Sequence, residues 1–213
     1  MKKRLSNEER RESIVKAALP LFVKEGFART TTKKLALAAG VSEALLYKHF
    51  PSKSDLYSSI QHYCFANVSD DFNTWVGSFP NNTETLVKLV KFFMKETLST
   101  KNSDKDLSFS RLMFHSLMED GEFAHIFIEA RCTTWRKKMK LCIEAAIIAG
   151  DMKLDDYPID ICSWFVHHLH VGIILLNLPQ KRVVHYELSH EEMADKAVKF
   201  CLRGLGLKEK FIK

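Results

Sequence analysis

Between positions 31 and 53 the chain sets hydroxyl, cationic and aromatic side chains at short intervals: Thr31, Thr32 and Lys33, then Ser42, Glu43, Ala44, Leu45, Tyr47, Lys48 and His49, then Lys53. Lys33, Lys48 and Lys53 can neutralise phosphates, and Thr31, Thr32, Ser42, Tyr47 and His49 can donate hydrogen bonds to phosphate oxygens. Glu43 can accept from a cytosine amino group, Lys33 or Lys48 can reach guanine, and Ala44 or Leu45 can meet a thymine methyl. This chemistry suits duplex DNA, provided the fold presents it on an element that fits a groove.

The elements that would position these residues are readable. Ser6 and Glu9 form a capping box, followed by Ile14, Val15, Ala18, Leu19, Phe22 and Val23 at helical spacing until Gly26, with a bend expected at Pro20. A second helix is expected from Thr32 to Ala39, closed by Gly40, and a third from an N-cap at Ser42 to a stop imposed by Pro51. Helix, Gly-containing turn and helix make a helix-turn-helix pattern. The segment Glu43 to Phe50 would be about 12 Å long, close to the ~12 Å width of the major groove. Leu46 and Phe50 share one side of it, while Ala44, Leu45 and Lys48 face away. The same segment also reads as a helical turn in a core, with Lys48 and His49 solvated.

Charge separates this region from the rest. The chain of 213 residues carries a formal charge of +6, and residues 1–60 hold 12 Lys or Arg against 6 Asp or Glu, whereas 61–213 hold 20 of each. A basic first quarter calls for a polyanionic partner, nucleic acid or an anionic membrane surface. The five cysteines are widely spaced with no C-x-x-C, which fits a reducing compartment better than a disulfide framework. No apolar core follows the charged N-terminus and the stretch "VGIILL" is too short to span a bilayer, so a cytoplasmic protein that is neither exported nor membrane-spanning is expected.

From Ser52 onward the pattern is helical throughout, with helices expected at 53–78, 83–99, 107–120, 122–149, 158–178 and 190–204 and no strand. The fold class is therefore all-α, with about nine helices. Residues 1–54 form a three-helix head and 55–213 a larger helical body. The helix over 158–178 is apolar on nearly every side, and the last, with a Ser189–Glu192 capping box, has a wide apolar stripe. The two could bury each other inside one chain, or meet a second copy across a two-fold axis.

The run "GFARTTTKKLALAAGVSEALLYKHFPSKSDLY", residues 26–57, resembles the DNA-binding region of TetR-family transcriptional regulators. The likeness rests on Gly26-Phe27, Thr31 and Thr32 before Leu35-Ala36, the turn Ala39-Gly40-Val41-Ser42, Leu46-Tyr47 with His49-Phe50, and Ser52-Lys53; with the first helix it covers about 60 residues. It implies DNA contacts from Thr32, Lys33, Ser42, Glu43, Ala44, Tyr47, Lys48, His49 and Lys53. Ala44 stands where the family often has Gly, and Leu45 where a small or polar residue is common, so base preference does not carry over.

The resemblance also implies dimerisation through the last two long helices, with Trp164, Phe165, His168, Val171, Leu175, Met193, Ala197 and Cys201 as candidate interface residues. Paired heads about 34 Å apart, or a multiple of it, would read a near-palindromic operator. Aromatic and Met side chains of the middle helices pack in most proteins, but in this family the body usually encloses a small-molecule cavity. Candidate lining residues are Phe72, Trp75, Phe93, Met113, Phe114, His115, Met118, Phe127 and Trp135, with His115 or Trp135 as polar handles. A small, largely apolar effector would then release a repressor from its operator by shifting the population toward a state of low DNA affinity. The alternative is a DNA-bound protein whose body binds a partner protein and takes no small effector.

Other features read as structural. His167 and His170 share a face, but only Cys162 lies near enough to add a ligand, so core or interface histidines are expected rather than a metal site. The basic run "RCTTWRKKMK" reads as a solvated face, with an anionic effector site as the alternative, and Cys132 as a buried thiol. With no G-x-S-x-G, P-loop or H-E-x-x-H, no enzyme chemistry and no cofactor are expected.

Overall fold

The computed structural model describes residues 5–65, 70–98, 104–154, 158–179, 181 and 183–212, with the side chains of 65, 70–72, 96–98, 104–109, 130 and 131 excepted. These residues form ten α-helices: α1 (Asn7–Arg29), α2 (Thr32–Ala38), α3 (Glu43–His49), α4 (Lys53–Phe65), α5 (Asp70–Gly77), α6 (Thr83–Leu98), α7 (Asp104–Met118), α8 (Glu122–Ile148), α9 (Ile159–Asn177) and α10 (His190–Gly204). A short 3-10 turn (Glu209–Phe211) follows, and the single β-bridge among the described residues joins Met152 to Leu207. The all-α reading holds. Where one helix was expected over 53–78, the described residues give α4 and α5, with 66–69 outside the description.

Local signals set the helix ends. Both expected capping boxes form: Ser6 accepts from the Glu9 amide while Glu9 accepts from that of Ser6, and Ser189 and Glu192 repeat the arrangement. Each cap contributes about 1 kcal/mol. The local bend or loosened turn expected at Pro20 leaves no mark on the helical dihedrals. Pro20 keeps helical dihedrals on an exposed face, and α1 is interrupted instead at Gly26 (φ 76°, ψ 174°). Proline's fixed φ suits a helix, and its cost there is a lost N–H and crowding of the carbonyl four residues back, whereas the conformation at Gly26 is open essentially to glycine alone.

The chain divides into two compact units. The first comprises the helices up to residue 69 together with 104–127, so that α4, α7 and the start of α8 pack with α1 to α3. Its core is built from Ile14, Phe22, Leu35, Leu46, Phe50 and Leu56 with Leu112 and Phe123. Tyr57 sits among Phe22, Phe27 and Phe123 with ring centroids 5.0–6.0 Å away, and burial there raises its phenol pKa well above the usual range.

The second unit holds residues 70–103 and 128–213. α10 lies along α6, joined at the surface by Lys95 and Asp195 at 2.8 Å, and both meet α9. Leu86, Leu89, Met94, Met139, Val166, Val198 and Leu202 fill the core between them. By length and composition α9 is the one helix among the described residues that could cross a membrane, but six of its residues, two histidines among them, are buried inside the protein.

Candidate nucleic-acid interface

The head is assembled by hydrogen bonds that its own sequence supplies. Thr31 caps α2 by accepting from the Lys34 amide (3.4 Å), and α2 ends in a Schellman motif. There the Gly40 amide donates to the Leu37 carbonyl and the Val41 amide to that of Ala36, with Gly40 at φ 63°. Ser42 then caps α3 by accepting from the Leu45 amide at 3.1 Å.

Helix α3 is two-sided. Leu46, His49 and Phe50 are buried, whereas Glu43, Ala44, Tyr47 and Lys48 are exposed and Leu45 is half-exposed. The crevice beneath Tyr47, lined by Leu35, Leu46, Phe50 and Leu56, has no room for a water molecule. The outward face is therefore held by a packed base. It continues onto α2 through Thr32, whose hydroxyl donates to the Glu43 carboxylate at 3.1 Å, and through exposed Thr31 and Lys33. Lys33 and Lys48 make no ion pair or side-chain hydrogen bond among the described residues, so both charges remain available. Lys34, by contrast, pairs with Glu25 at 2.6 Å and holds that carboxyl below its usual range.

Two of the expected contact residues are engaged within the head. Lys53 donates through Nζ to the carbonyls of Phe27 (2.9 Å) and Thr30 (3.1 Å) and lies 4.2 Å from the Phe27 ring centroid, closing the end of α1. His49 faces inward at 9% exposure, and its carbonyl accepts from Arg11, whose guanidinium covers the Phe50 ring at 4.3 Å. Sequence reasoning missed that clamp, and it missed Leu37. This leucine is 81% exposed one turn after Lys33 on α2, and that spacing was the signal that could have found it.

The residues expected around an effector fall in different units. Met113, Phe114, His115 and Phe127 belong to the first, where Met113 is part of the core and His115 lies against Gly26. Met118, 86% exposed at the end of α7, lines no enclosed space. Trp75, Phe93 and Trp135 belong to the second unit; Trp135 is fully buried and stacks on Phe93 at 4.5 Å. The side chain of Phe72 lies outside the described residues.

Of the expected interface residues, Phe165, His168 and Leu175 are exposed on α9, while Trp164, Val171 and Met193 are half-buried. Ala197 and Cys201 are instead buried, at 5% and 7% exposure, and burial pushes the Cys201 thiol up to about 11. The apolar stripe of α10 faces its own unit; the apolar residue it turns outward is Phe200, 70% exposed, together with Ile161 of α9. Between the two helices runs a groove of about 260 Å³ lined by Cys162, Phe165, Val166, Leu169 and Phe200. All five cysteines are buried and none is in a disulfide, and no cluster of three or more His, Cys, Asp or Glu among the described residues could hold a metal ion.

Comparison with known proteins agrees with this geometry. Residues 14–60 match the family described as bacterial regulatory proteins, tetR family. The HTH-type transcriptional regulator AcrR of Shigella flexneri is 27% identical over 68% of this chain and 69% of its own length. The nucleoid occlusion factor SlmA of Klebsiella pneumoniae is 30% identical over 65% and 72%. Among solved structures, NalD of Pseudomonas aeruginosa, the secondary repressor of the MexAB-OprM multidrug efflux pump, superposes with a TM-score of 0.66 at 20% identity, covering 94% of this chain and 98% of that one. A tetR-family regulatory protein from Rhodococcus RHA1 gives 0.65 at 18%, with the same coverage. At those identities the structures speak for the fold alone.

Proposed function

The chain belongs to the TetR family of bacterial DNA-binding regulators, and from that premise we propose that it is a cytoplasmic, homodimeric repressor released from a near-palindromic operator by a small molecule. Residues 1–54 provide the DNA-binding head and 55–213 the effector-binding and dimerisation body. The observation that carries the reading is the division of α3, whose Leu46 and Phe50 anchor it while Glu43, Ala44, Tyr47 and Lys48 stay exposed on a face continuous with Thr31, Thr32 and Lys33.

In this reading the N-terminal turn of α3 meets base edges, as recognition helices do, while Lys33, Lys48 and the hydroxyls hold phosphates. A dimer joined at the α9–α10 face, where Phe165 and Phe200 stand exposed beside a groove, pairs the two heads on one operator. A ligand that binds one body conformation a few kcal/mol better than another then suffices to empty the operator.

The test is to pass fragmented genomic DNA over the purified protein and sequence what is retained. A near-palindrome with half-sites one helical turn apart, or a multiple of it, is the expected result; retention without a shared motif contradicts it. A second reading has support in the name of the SlmA relative, a nucleoid occlusion factor, in which DNA binding serves something other than ligand-controlled transcription. In that case the body binds a partner protein, and a broad small-molecule panel leaves the melting temperature unchanged. A ligand at 100 times its Kd would add about 2.7 kcal/mol.

A further inference from the structure

Among the described residues two buried side-chain polar atoms have no hydrogen-bond partner: Nε1 of Trp135 and Nδ1 of His167. They belong to one cluster in the second unit. The Phe93 ring of α6 stacks on Trp135 of α8 (4.5 Å between centroids, 22° between planes) and also touches His170 at 4.4 Å and His167 at 5.9 Å, both on α9. Trp164 packs edge-on against His167 at 5.4 Å. Trp135 and His167 are 1% and 6% exposed, and both rings pack on Phe93.

An unpaired buried donor costs about 1–3 kcal/mol, and two of them in one cluster need a reason. Packing does not supply it, since phenylalanine and leucine would fill the same places without orphaned polar atoms. The chemistry of the cluster does. An indole N–H can only donate, so its missing partner is an acceptor. His167 is kept neutral, because burial, with some help from His168 and Arg136, lowers its pKa to about 4; a neutral imidazole can donate from Nδ1. The surrounding rings are flat and apolar. Arg136 brings the positive charge: its guanidinium lies 4.0 Å from the Trp164 ring centroid and makes no ion pair among the described residues.

We propose that this cluster, Phe93, Trp135, Trp164, His167 and His170 with Arg136 at its edge, binds a flat, largely apolar carboxylate whose carboxyl group accepts hydrogen bonds from Trp135 Nε1 and His167 Nδ1. The inference rests on the reading that the body takes a small effector, and it assigns that effector's chemical class. His115, the other polar handle expected from sequence, lies in the first unit and takes no part.

The test uses the full-length protein labelled with ¹⁵N and free of DNA. Its three tryptophans give three indole N–H resonances, and a Trp135→Phe variant identifies that of Trp135. Benzoate and cinnamate are titrated, with benzamide and cinnamamide as neutral matches. Both carboxylates should move the Trp135 resonance downfield with saturation, while the amides bind tenfold or more weaker. Arg136→Gln, at a half-exposed position, and His167→Leu should each weaken carboxylate binding by about tenfold or more. A Trp135 resonance that no probe moves, or amides that bind as well as the acids, overturns the proposal. Because occupancy is read without DNA, a carboxylate that moves Trp135 but leaves operator affinity unchanged refutes the regulatory reading and leaves the site standing.

Discussion

The hydroxyl of Thr32, the first residue of α2, donates to the carboxylate of Glu43, the first residue of α3, at 3.1 Å. Two consequences follow from where that carboxylate sits. It lies at a helix N-terminus, where the backbone dipole favours negative charge. It also lies on the face expected to meet a polyanion, where the phosphates repel it. Such a group selects among sequences more than it holds DNA: it gains only where a cytosine amino group is there to receive it.

Glu43→Gln should therefore bind random duplex more tightly than the parent protein while losing discrimination at one base pair in each half-site. A good base contact is worth about 1–3 kcal/mol, so the ratio of specific to random affinity should fall by roughly tenfold or more. Thr32→Val, which frees the carboxylate without removing it, should lower that ratio by a smaller factor and leave random binding alone. Fluorescence anisotropy with an operator duplex and its scrambled counterpart reads both. An unchanged ratio in Glu43→Gln would remove the residue from base reading.

Lys48 and Lys53 look equivalent in sequence and should behave differently. Lys48 is exposed and unpaired among the described residues, so Lys48→Ala should reduce the slope of log affinity against log salt by about 0.9 for each phosphate that the lysine neutralises, with thermal stability unchanged. Lys53 holds the carbonyls of Phe27 and Thr30, and charged hydrogen bonds of that kind are worth about 1.5–3 kcal/mol. Lys53→Ala should melt earlier and keep its salt slope. A reversal of the two phenotypes would place Lys53, not Lys48, on the DNA.

That contrast shows where the sequence was legible. Caps, glycine stops and apolar spacing are local, so α1 to α3, both capping boxes and the exposed set from Glu43 to Lys48 could be read from a few neighbouring residues. The partner of Lys53 lies 26 positions away, that of the His49 carbonyl 38, and no local pattern encodes either. Helix α10 misled for a related reason. Its apolar stripe, with Ala197 and Cys201, fits burial inside one chain as well as a second copy, and the family resemblance favours the second; α6 takes it, and the outward residue is Phe200 in the midst of Lys196, Lys199 and Arg203. Periodicity reveals that a face is buried; it does not name the neighbour.

Phe200 gives that distinction a measurable form. At 70% exposure it contributes little to folding of its own unit, so Phe200→Glu should leave the melting temperature within about 2 °C of the parent's. If the α9–α10 face joins two copies, the same change should raise the dimer dissociation constant by at least tenfold and weaken operator binding with it. Sedimentation velocity over a concentration series decides. A dimer that persists unchanged would move the interface elsewhere.

Gly26 tests the interruption in α1. Its dihedrals are costly for any residue with a Cβ, by about 1–3 kcal/mol, and an added Cβ would lie 2.5 Å from Glu119 Oε1. The carboxylate is the far end of an exposed side chain and can swing aside, whereas the backbone has no such freedom. Gly26→Ala should thus lower the melting temperature by several degrees, and adding Glu119→Ala should recover little of it. Full recovery in the double variant would assign the cost to the contact and not to the backbone.

The buried histidines predict how stability depends on pH. Burial lowers His167 to about 4 and His170 to about 3 from the ordinary 6.5, so the folded protein keeps both neutral where the unfolded chain is already taking up protons. Their contribution is complete above about pH 6.5 and is lost as the pH falls from there through the folded values. The unfolded state binds the extra protons in that window, and each histidine removes at most about 1.4 kcal/mol per pH unit. Carboxylates held low by cationic partners, such as Asp151 beside Lys210 and Asp195 beside Lys95, enter mainly below their ordinary values near 4, so the range from pH 7 to 5 isolates the histidines. Urea unfolding at pH 7, 6 and 5 should show stability falling with acid, and His170→Phe, which keeps an aromatic ring against Phe93, should flatten the fall by up to about 1.4 kcal/mol per unit between pH 6 and 5. An identical pH slope in parent and variant would mean that His170 is not held neutral by the fold.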